Sequence, residues 1–95
     1  MKLTITKEAA QWYKDDMGLK DGDCLRFFVK YGGNNPFHPN FSLGVAKQEP
    51  EDIAISQMQE GITFFFEKED EWFIEGLELM VDLKNGEAEF IFEEE

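Results

Sequence analysis

The fold of this chain is decided most clearly by residues 79–92, LMVDLKNGEAEFIF. Asn85-Gly86 separates two runs of alternating apolar and polar residues, the strongest short-range indication of a β-hairpin with a type I′ turn. A two-residue turn fixes the register of the two strands. The apolar side chains then meet on one face of the hairpin in three pairs: Leu79 with Phe92, Val81 with Phe90, and Leu83 with Ala88.

The opposite face of this hairpin is acidic, because the same register brings Glu78 against Glu93 and Asp82 against Glu89. Like charges directly opposite one another destabilise a sheet. We therefore expect these four carboxylates to be solvated, or to meet a cation or a basic partner.

The first residues of the chain predict a short strand followed by one helix. Leu3–Ile5 has the composition of a strand or extended arm, and Thr6 can cap a helix over Lys7–Met17. Gly18 follows as the kind of residue that commonly ends a helix in a left-handed conformation.

The middle of the chain predicts further strands. In the segment Cys24–Tyr31, the side chains of Leu25, Phe27, Val29 and Tyr31 share one face. The other predicted elements are strands over Phe41–Lys47, Ile53–Ile55 and Gly61–Phe66, and one or two helical turns over Glu69–Glu75. Gly61–Phe66 is apolar on both faces, as in a buried strand. Within the helical turns, Trp72 and Phe73 are expected to point inward.

Length and composition limit the classes of protein that fit. Ninety-five residues, of which 42% are hydrophobic, predict one domain over residues 1–95 with a single core. The net charge of −12 disfavours direct binding of nucleic acid, which depends on Lys and Arg. This acidity is concentrated from Glu67 onward, where two basic and twelve acidic residues lie. A single cysteine, no apolar run of membrane-spanning length and no signal segment favour a cytoplasmic protein.

The loop Tyr31–Pro39 is the most specialised stretch, because it combines Gly32-Gly33, Asn34-Asn35, two prolines and the sole histidine, His38. Shaped loops on a rigid scaffold often carry function. Gly32-Gly33 lacks the lysine and the glycine spacing of a phosphate-binding loop, so we interpret it as a tight exit from the preceding strand. Asn34 and Asn35 are interpreted as residues that tolerate left-handed conformations.

Metal or catalytic chemistry has little support in the sequence. His38 lacks co-ligands nearby and is interpreted as a packing or surface residue of the loop, with metal binding as the alternative. Cys24 is interpreted as a small structural residue, because nothing orients or activates its thiol. The acidic cluster that lacks EF-hand spacing is interpreted as a solvated helix start rather than a cation site: Glu67, Glu69, Asp70 and Glu71. We therefore predict no catalytic residue, no metal site and no cofactor.

Several segments resemble the HesB-like (A-type) iron–sulfur carrier family. The matching residues are Leu3-Thr4-Ile5-Thr6 with Ala9 and Ala10, Leu25–Gly33, Phe37 with Phe41-Ser42-Leu43, Phe73–Leu79, and Phe90-Ile91-Phe92. The resemblance implies an α+β, predominantly β fold. In that fold the N-terminal helix packs on a small mixed β-sheet sandwich, and the chain closes with a C-terminal β-hairpin.

The same resemblance implies three cysteine ligands for iron or a cluster, one after the Gly-Gly pair and two in a Cys-Gly-Cys tail. In this sequence Asn34 stands at the first position, and the sequence ends at Glu95 without that tail. An asparagine amide is a poor substitute for a thiolate. The cluster chemistry of the family is therefore not expected here.

We conclude from the sequence that this is a member without the cluster-ligand cysteines and not an enzyme. It is expected to be a binding or regulatory module linked to iron–sulfur metabolism through an unknown protein partner. The alternative is an acidic charge mimic that binds a basic partner through the hairpin face of Glu78, Asp82, Glu89 and Glu93. Because ligand cysteines help to hold family dimers together, we expect a monomer or a weak homodimer.

Overall fold

The structure is a computed structural model that describes residues 1–95, and two β-sheets make up most of it. In chain order the elements are β1 (Lys2–Ile5), α1 (Lys7–Met17), β2 (Cys24–Asn34), β3 (Pro39–Lys47), β4 (Ile53–Gln59), β5 (Ile62–Glu67), a 3₁₀ helix (Lys68–Phe73), β6 (Leu77–Lys84) and β7 (Glu87–Glu94). One sheet has the strand order β1-β6-β7 and the other β3-β2-β5-β4. Each sheet contains one parallel pair among antiparallel neighbours. This is the mostly β, α+β architecture expected from the sequence.

β6 and β7 form the predicted hairpin in the predicted register. Leu79 pairs with Phe92, and the next inward-facing pairs follow at two-residue intervals toward the turn. Asn85 (φ 53°) and Gly86 (φ 83°) both have positive φ, as a type I′ turn requires. The turn chemistry and the hydrophobic alternation therefore specify the same pairing.

Helix α1 begins and ends where the sequence predicts. Thr6 Oγ1 accepts a hydrogen bond of 3.1 Å from the backbone N–H of Ala9, which satisfies one free donor of the first turn. Gly18 ends the helix with φ of 64°. The helix is anchored by Tyr13, whose burial, together with the nearby Asp16 carboxylate, raises its pKa to about 12. Neither helix of the fold is long and apolar enough to cross a membrane.

The core lies between the two sheets and is rich in phenylalanine. Phe27 of β2 is fully buried, and its ring centroid lies 5.6 Å from that of Phe66 of β5. Its centroid lies equally close, 5.6 Å, to Phe90 of β7 in an edge-on contact that joins the two sheets. Phe64 and Phe65 are both fully buried although successive residues of a strand face opposite ways. β5 is therefore buried on both faces, as predicted.

β2 and β4 each run at least three residues further than the sequence suggests. β2 continues past Tyr31 through a bulge, in which Gly32 (φ 107°) and Gly33 (φ 94°) adopt positive φ. The interpretation of Gly32-Gly33 as an exit from the strand is therefore wrong. A Cβ on Gly33 would lie 2.7 Å from the Cβ of Ser42, so the close approach of β3 also requires glycine there. β4 extends to Gln59, because β5 supplies a pairing partner for residues whose own pattern is too polar to predict a strand.

Two large aromatic side chains are exposed, and one of them, Trp72, was expected to point inward. Tyr31 is 83% exposed, because β5 pairs with β2 only as far as Phe27 and the outer end of β2 pairs with β3 alone. Trp72 is 44% exposed, whereas Phe73 is fully buried. The two diverge because a 3₁₀ helix has about three residues per turn, so neighbouring side chains point in directions roughly 120° apart.

Replacing Phe27 by alanine will lower the free energy of unfolding by about 3–5 kcal/mol, because it removes a fully buried ring from between the sheets. The matched change Tyr31→Ala replaces an aromatic residue on the same face of β2. It will lower the free energy of unfolding by about 0.5 kcal/mol or less. Urea unfolding followed by circular dichroism measures both. Equal losses in the two variants would contradict the assignment of Phe27 to the core.

Candidate functional site: the Asn34 loop and the cleft beside it

The loop after β2 is short and is closed by one buried side chain. Asn34 and Pro39 pair across the two strands, so only four residues lie between them. The Asn35 side chain is buried, and its Oδ1 accepts hydrogen bonds from the backbone N–H groups of Phe37 (2.9 Å) and His38 (3.1 Å). An asparagine that accepts from residues two and three positions ahead shapes a tight turn.

The left-handed conformation predicted for Asn34 and Asn35 is wrong. Neither residue has positive φ; the two preceding glycines adopt it instead, and so does Asn40 (φ 76°) at the start of β3. Asn34 is left as an exposed strand residue at the end of β2. Its amide is therefore accessible, whereas the amide of Asn35 is used inside the loop.

His38 connects this loop to the 3₁₀ helix. Its Nε2 lies 2.9 Å from the backbone carbonyl oxygen of Phe73. A carbonyl can only accept, so Nε2 carries the hydrogen and donates it. The imidazole also packs against the rings of Phe73 (centroids 4.5 Å apart) and Trp72 (5.3 Å, edge-on). These contacts fix the ring and use one of its two nitrogens.

A cleft opens beside the loop, between the edge strands β3 and β7. Six apolar side chains line it: Phe41, Leu43 and Val45 from β3, and Ala88, Phe90 and Phe92 from β7. Polar residues also contribute, among them Asn34, Ser42, Asp16 and Lys30. The part next to Asn34 has a volume of about 240 Å³, and the part that reaches Trp12 of α1 about 400 Å³. The two parts share Leu43 and Phe90, so they form one groove along the side of the sandwich. All six of the apolar side chains are half-buried.

Sequence reasoning did not find this cleft. Alternation shows that Phe90 and Leu43 lie on apolar strand faces, but not that β3 and β7 end up on the same open side of the sandwich. That arrangement depends on how two separate sheets stack. The available signal is that an apolar strand face such as that of β7 alternates with exposed glutamates, which is typical of an edge strand.

The acidic hairpin face is formed in the predicted register, with Glu78 opposite Glu93 and Asp82 opposite Glu89. It is not continuous, because the pair between them is apolar and includes Met80, which is 41% exposed. Lys2 Nζ lies 4.0 Å from Glu78 and offsets part of its charge. Such an exposed ion pair contributes little to stability. The face therefore presents two acidic pairs separated by an apolar stripe.

The acidic cluster that follows β5 is used inside the fold. Arg26 Nη2 donates to Glu69 (2.6 Å) and Asp70 (3.0 Å). Burial alone would lower the pKa of the Arg26 guanidinium, but these two carboxylates outweigh it and raise that pKa. The buried Glu67 carboxylate accepts hydrogen bonds of 3.2 Å from the backbone N–H groups of Glu51-Asp52. The interpretation of this cluster as a solvated helix start is therefore wrong for Glu67 and Asp70, which are buried.

The residues at the expected ligand position do not fit an iron–sulfur cluster. Asn34 offers an amide, and the sole thiol, Cys24, lies ten residues earlier on the same strand. At about 3.3 Å per residue, roughly 30 Å separate the two positions. Burial, with the nearby Glu49 and Asp23 carboxylates, raises the pKa of the Cys24 thiol and disfavours the thiolate that a metal requires. No group of three or more His, Cys, Asp and Glu side chains is arranged to hold a metal ion.

Comparison with protein sequences gives a family and a named relative. The family profile described as iron–sulphur cluster biosynthesis matches residues 1–95. A protein of Bacillus subtilis (strain 168) named "Pyruvate dehydrogenase inhibitor" is 41% identical over 93 residues, which cover 98% of each chain. An uncharacterized protein of Staphylococcus saprophyticus is 30% identical over 89 residues, covering 90% of this chain and 91% of its own.

Comparison with solved structures gives the fold. Escherichia coli SufA, described as involved in biosynthesis of iron-sulfur clusters, superposes with a TM-score of 0.59 at 20% identity, covering 98% of this chain and 80% of SufA. IscA, solved with a 2Fe-2S cluster, superposes with a TM-score of 0.58 at 17% identity, covering 97% and 81%. The expected mostly β sandwich with its amino-terminal helix is confirmed.

The substitution His38→Ala will destabilise the protein by about 1–2 kcal/mol, because it removes one hydrogen bond and an aromatic contact. His38→Gln keeps an N–H donor of similar reach and will recover part of the loss. Urea unfolding and hydrogen exchange over residues 35–38 measure both effects. Unchanged stability in His38→Ala, together with loss of a bound divalent ion, would instead identify His38 as a metal ligand.

Proposed function

This chain belongs to the iron–sulphur cluster biosynthesis family, and we propose that it is a non-catalytic member that binds and inhibits a pyruvate dehydrogenase enzyme. In this proposal the family fold serves as a binding surface and does not carry a cluster. The protein acts in the cytoplasm, as a monomer or a weak homodimer.

The observation that carries the proposal is that the loop lacks the thiolate groups that would bind a cluster. The resemblance expects a cysteine where Asn34 stands, and the one thiol of the chain, Cys24, lies at the opposite end of β2. An amide and one distant thiol do not replace a set of thiolate ligands. Binding another protein depends on shape, apolar surface and charge, and needs no thiolate ligand.

The named relative supports the choice of target. It is 41% identical to this chain and is named as an inhibitor of pyruvate dehydrogenase. The match covers 98% of each chain, so it is not confined to one part of the fold. The proposal extends the printed function of that relative to this protein.

The charge of the protein suits a binding role. Its net charge of −12 would attract a basic surface of a larger enzyme and speed the encounter. The half-buried rings of Phe41, Phe90 and Phe92 then supply apolar surface that loses water only when a partner covers it. Inhibition follows if the bound protein blocks access to the enzyme or holds it in an inactive form.

A second candidate function is the charge mimic, in which the acidic hairpin face occupies a basic groove. The pairing of Glu78 with Glu93 and of Asp82 with Glu89 favours it, because four carboxylates then lie on one exposed sheet face. The apolar stripe of Met80 between the two pairs disfavours a partner such as a nucleic-acid groove, whose charges repeat without interruption. A connection to iron–sulfur metabolism through another protein partner belongs to the same class of binding functions.

Addition of the purified protein will inhibit pyruvate dehydrogenase in a saturable manner. Inhibition will be the same with and without a metal chelator, because no bound metal is required. The measurement is enzyme activity against inhibitor concentration at low and high salt. Absence of inhibition at saturating protein would contradict the proposed function.

Two charge-reversed variants separate the two candidates within this assay. The first carries Glu78→Lys and Asp82→Lys, both on β6. The control carries two reversals at exposed glutamates away from the hairpin face: Glu49→Lys and Glu75→Lys. The charge mimic requires the first variant alone to lose binding, whereas equal binding by both variants would exclude it.

A further inference from the structure

Strand β7 has a free edge along the cleft. It pairs only with β6, and its other side has no neighbouring strand. The turn at Asn85-Gly86 makes Lys84 and Glu87 a hydrogen-bonded pair, and such pairs alternate along an antiparallel hairpin. It follows that Ala88, Phe90 and Phe92 direct their backbone N–H and C=O groups toward the free edge. None of the backbone hydrogen bonds made outside the helices and paired strands involves these three residues.

The same three residues line the cleft with their side chains. Across the cleft stands β3, which also pairs with only one strand and presents Phe41, Leu43 and Val45. Unpaired backbone groups and a half-buried apolar surface therefore coincide along one side of the sandwich. An extended chain laid beside β7 could satisfy both, since a strand offers backbone groups at its edge and side chains to one face.

Three of the four alternate residues of β7 are acidic, and the fourth is Ile91. Glu87, Glu89 and Glu93 are exposed on the face of β7 that points away from the cleft. A strand added next to β7 would place its alternate side chains close to these three carboxylates, at the short distances of cross-strand pairs. Basic residues at those positions would be favoured and acidic residues disfavoured.

We propose that the free edge of β7 binds an extended segment of a partner protein in which apolar and basic residues alternate. The segment adds a strand to the sheet β1-β6-β7, its apolar side chains enter the cleft between β3 and β7, and its basic side chains meet the glutamates of β7. This inference rests on the proposed function, because it names the surface through which the protein binds its target.

A second copy of this chain does not fit the same edge. Antiparallel pairing of β7 with β7 of another molecule would bring the rows of Glu87, Glu89 and Glu93 together, and each molecule carries a net charge of −12. Like charges directly opposite are destabilising across strands. The glutamates of this edge therefore disfavour self-association and favour binding of a basic strand.

The test uses a synthetic peptide of alternating valine and lysine that is as long as β7, 8 residues, with a valine–glutamate peptide as control. We expect the first peptide to bind and to slow hydrogen exchange at the amides of Ala88, Phe90 and Phe92, and the second not to bind. Binding will weaken as salt is raised, since exposed charges are screened. Failure of the valine–lysine peptide to bind, or protection elsewhere on the chain, would overturn the proposal.

The variant Ala88→Pro removes one free N–H at the edge without removing a bond to β6, and proline is tolerated on edge strands. It is expected to weaken peptide binding at least about tenfold, which corresponds to ~1.4 kcal/mol. A second variant, Glu87→Lys with Glu89→Lys, leaves the backbone donors in place and will also lose affinity for the peptide. Its control, Glu49→Lys with Glu75→Lys, carries the same change in net charge and will lose much less affinity. Peptide binding unchanged in both β7 variants would overturn the proposal.

The same variants in the pyruvate dehydrogenase assay distinguish failure of this inference from failure of the proposed function. If the unmodified protein does not inhibit, the proposed function fails and the peptide titration alone decides the binding edge. If the unmodified protein inhibits and folded Ala88→Pro inhibits equally, the binding edge is wrong and the proposed function stands. The expected result is inhibition that falls in Ala88→Pro in parallel with peptide binding.

Discussion

The structure depends on the edge-on contact between Phe27 and Phe90, which joins the central strand of one sheet to the edge strand of the other. Phe27 is fully enclosed by Phe64 and Phe66 of its own sheet and by Phe90, so it fixes the separation of the sheets at one place. Phe90 is only half-buried because its other side faces the cleft. One contact thus closes the core and at the same time shapes one wall of the surface that we propose for binding.

None of the interactions that hold this fold requires a metal ligand. The sheets are joined by phenylalanine packing, the hairpin is set by Asn85-Gly86, and the loop after β2 is closed by the buried Asn35 and tied down by His38. A member of the family can therefore keep the fold while Asn34 occupies a position where the resemblance expects a thiolate. Because the residues that hold the fold are not those that would bind a cluster, the fold alone does not identify the activity.

The elements that were predictable are those specified by neighbouring residues. The hairpin register and the bounds of α1 follow from a turn and from caps that act within a few positions. Features that depend on distant contacts were not predictable, among them the extension of β4, which needs β5 as a partner, and the burial of Glu67 by backbone groups at residues 51–52. The exposure of Trp72 was missed because neighbouring side chains of a helical turn point in different directions, so Trp72 and Phe73 do not both face the core. The cleft depends on the stacking of two sheets, which alternation within a strand does not report.

The central claim is that this protein acts through its surface and without a cluster. The most direct measurement is anaerobic purification followed by reconstitution with ferrous iron and sulfide, with iron content, visible absorption and inhibition of pyruvate dehydrogenase recorded on the same gel-filtered sample. We predict no stoichiometric iron, no cluster absorption and unchanged inhibition after reconstitution. A stoichiometric cluster that survives gel filtration and is required for inhibition would contradict the claim.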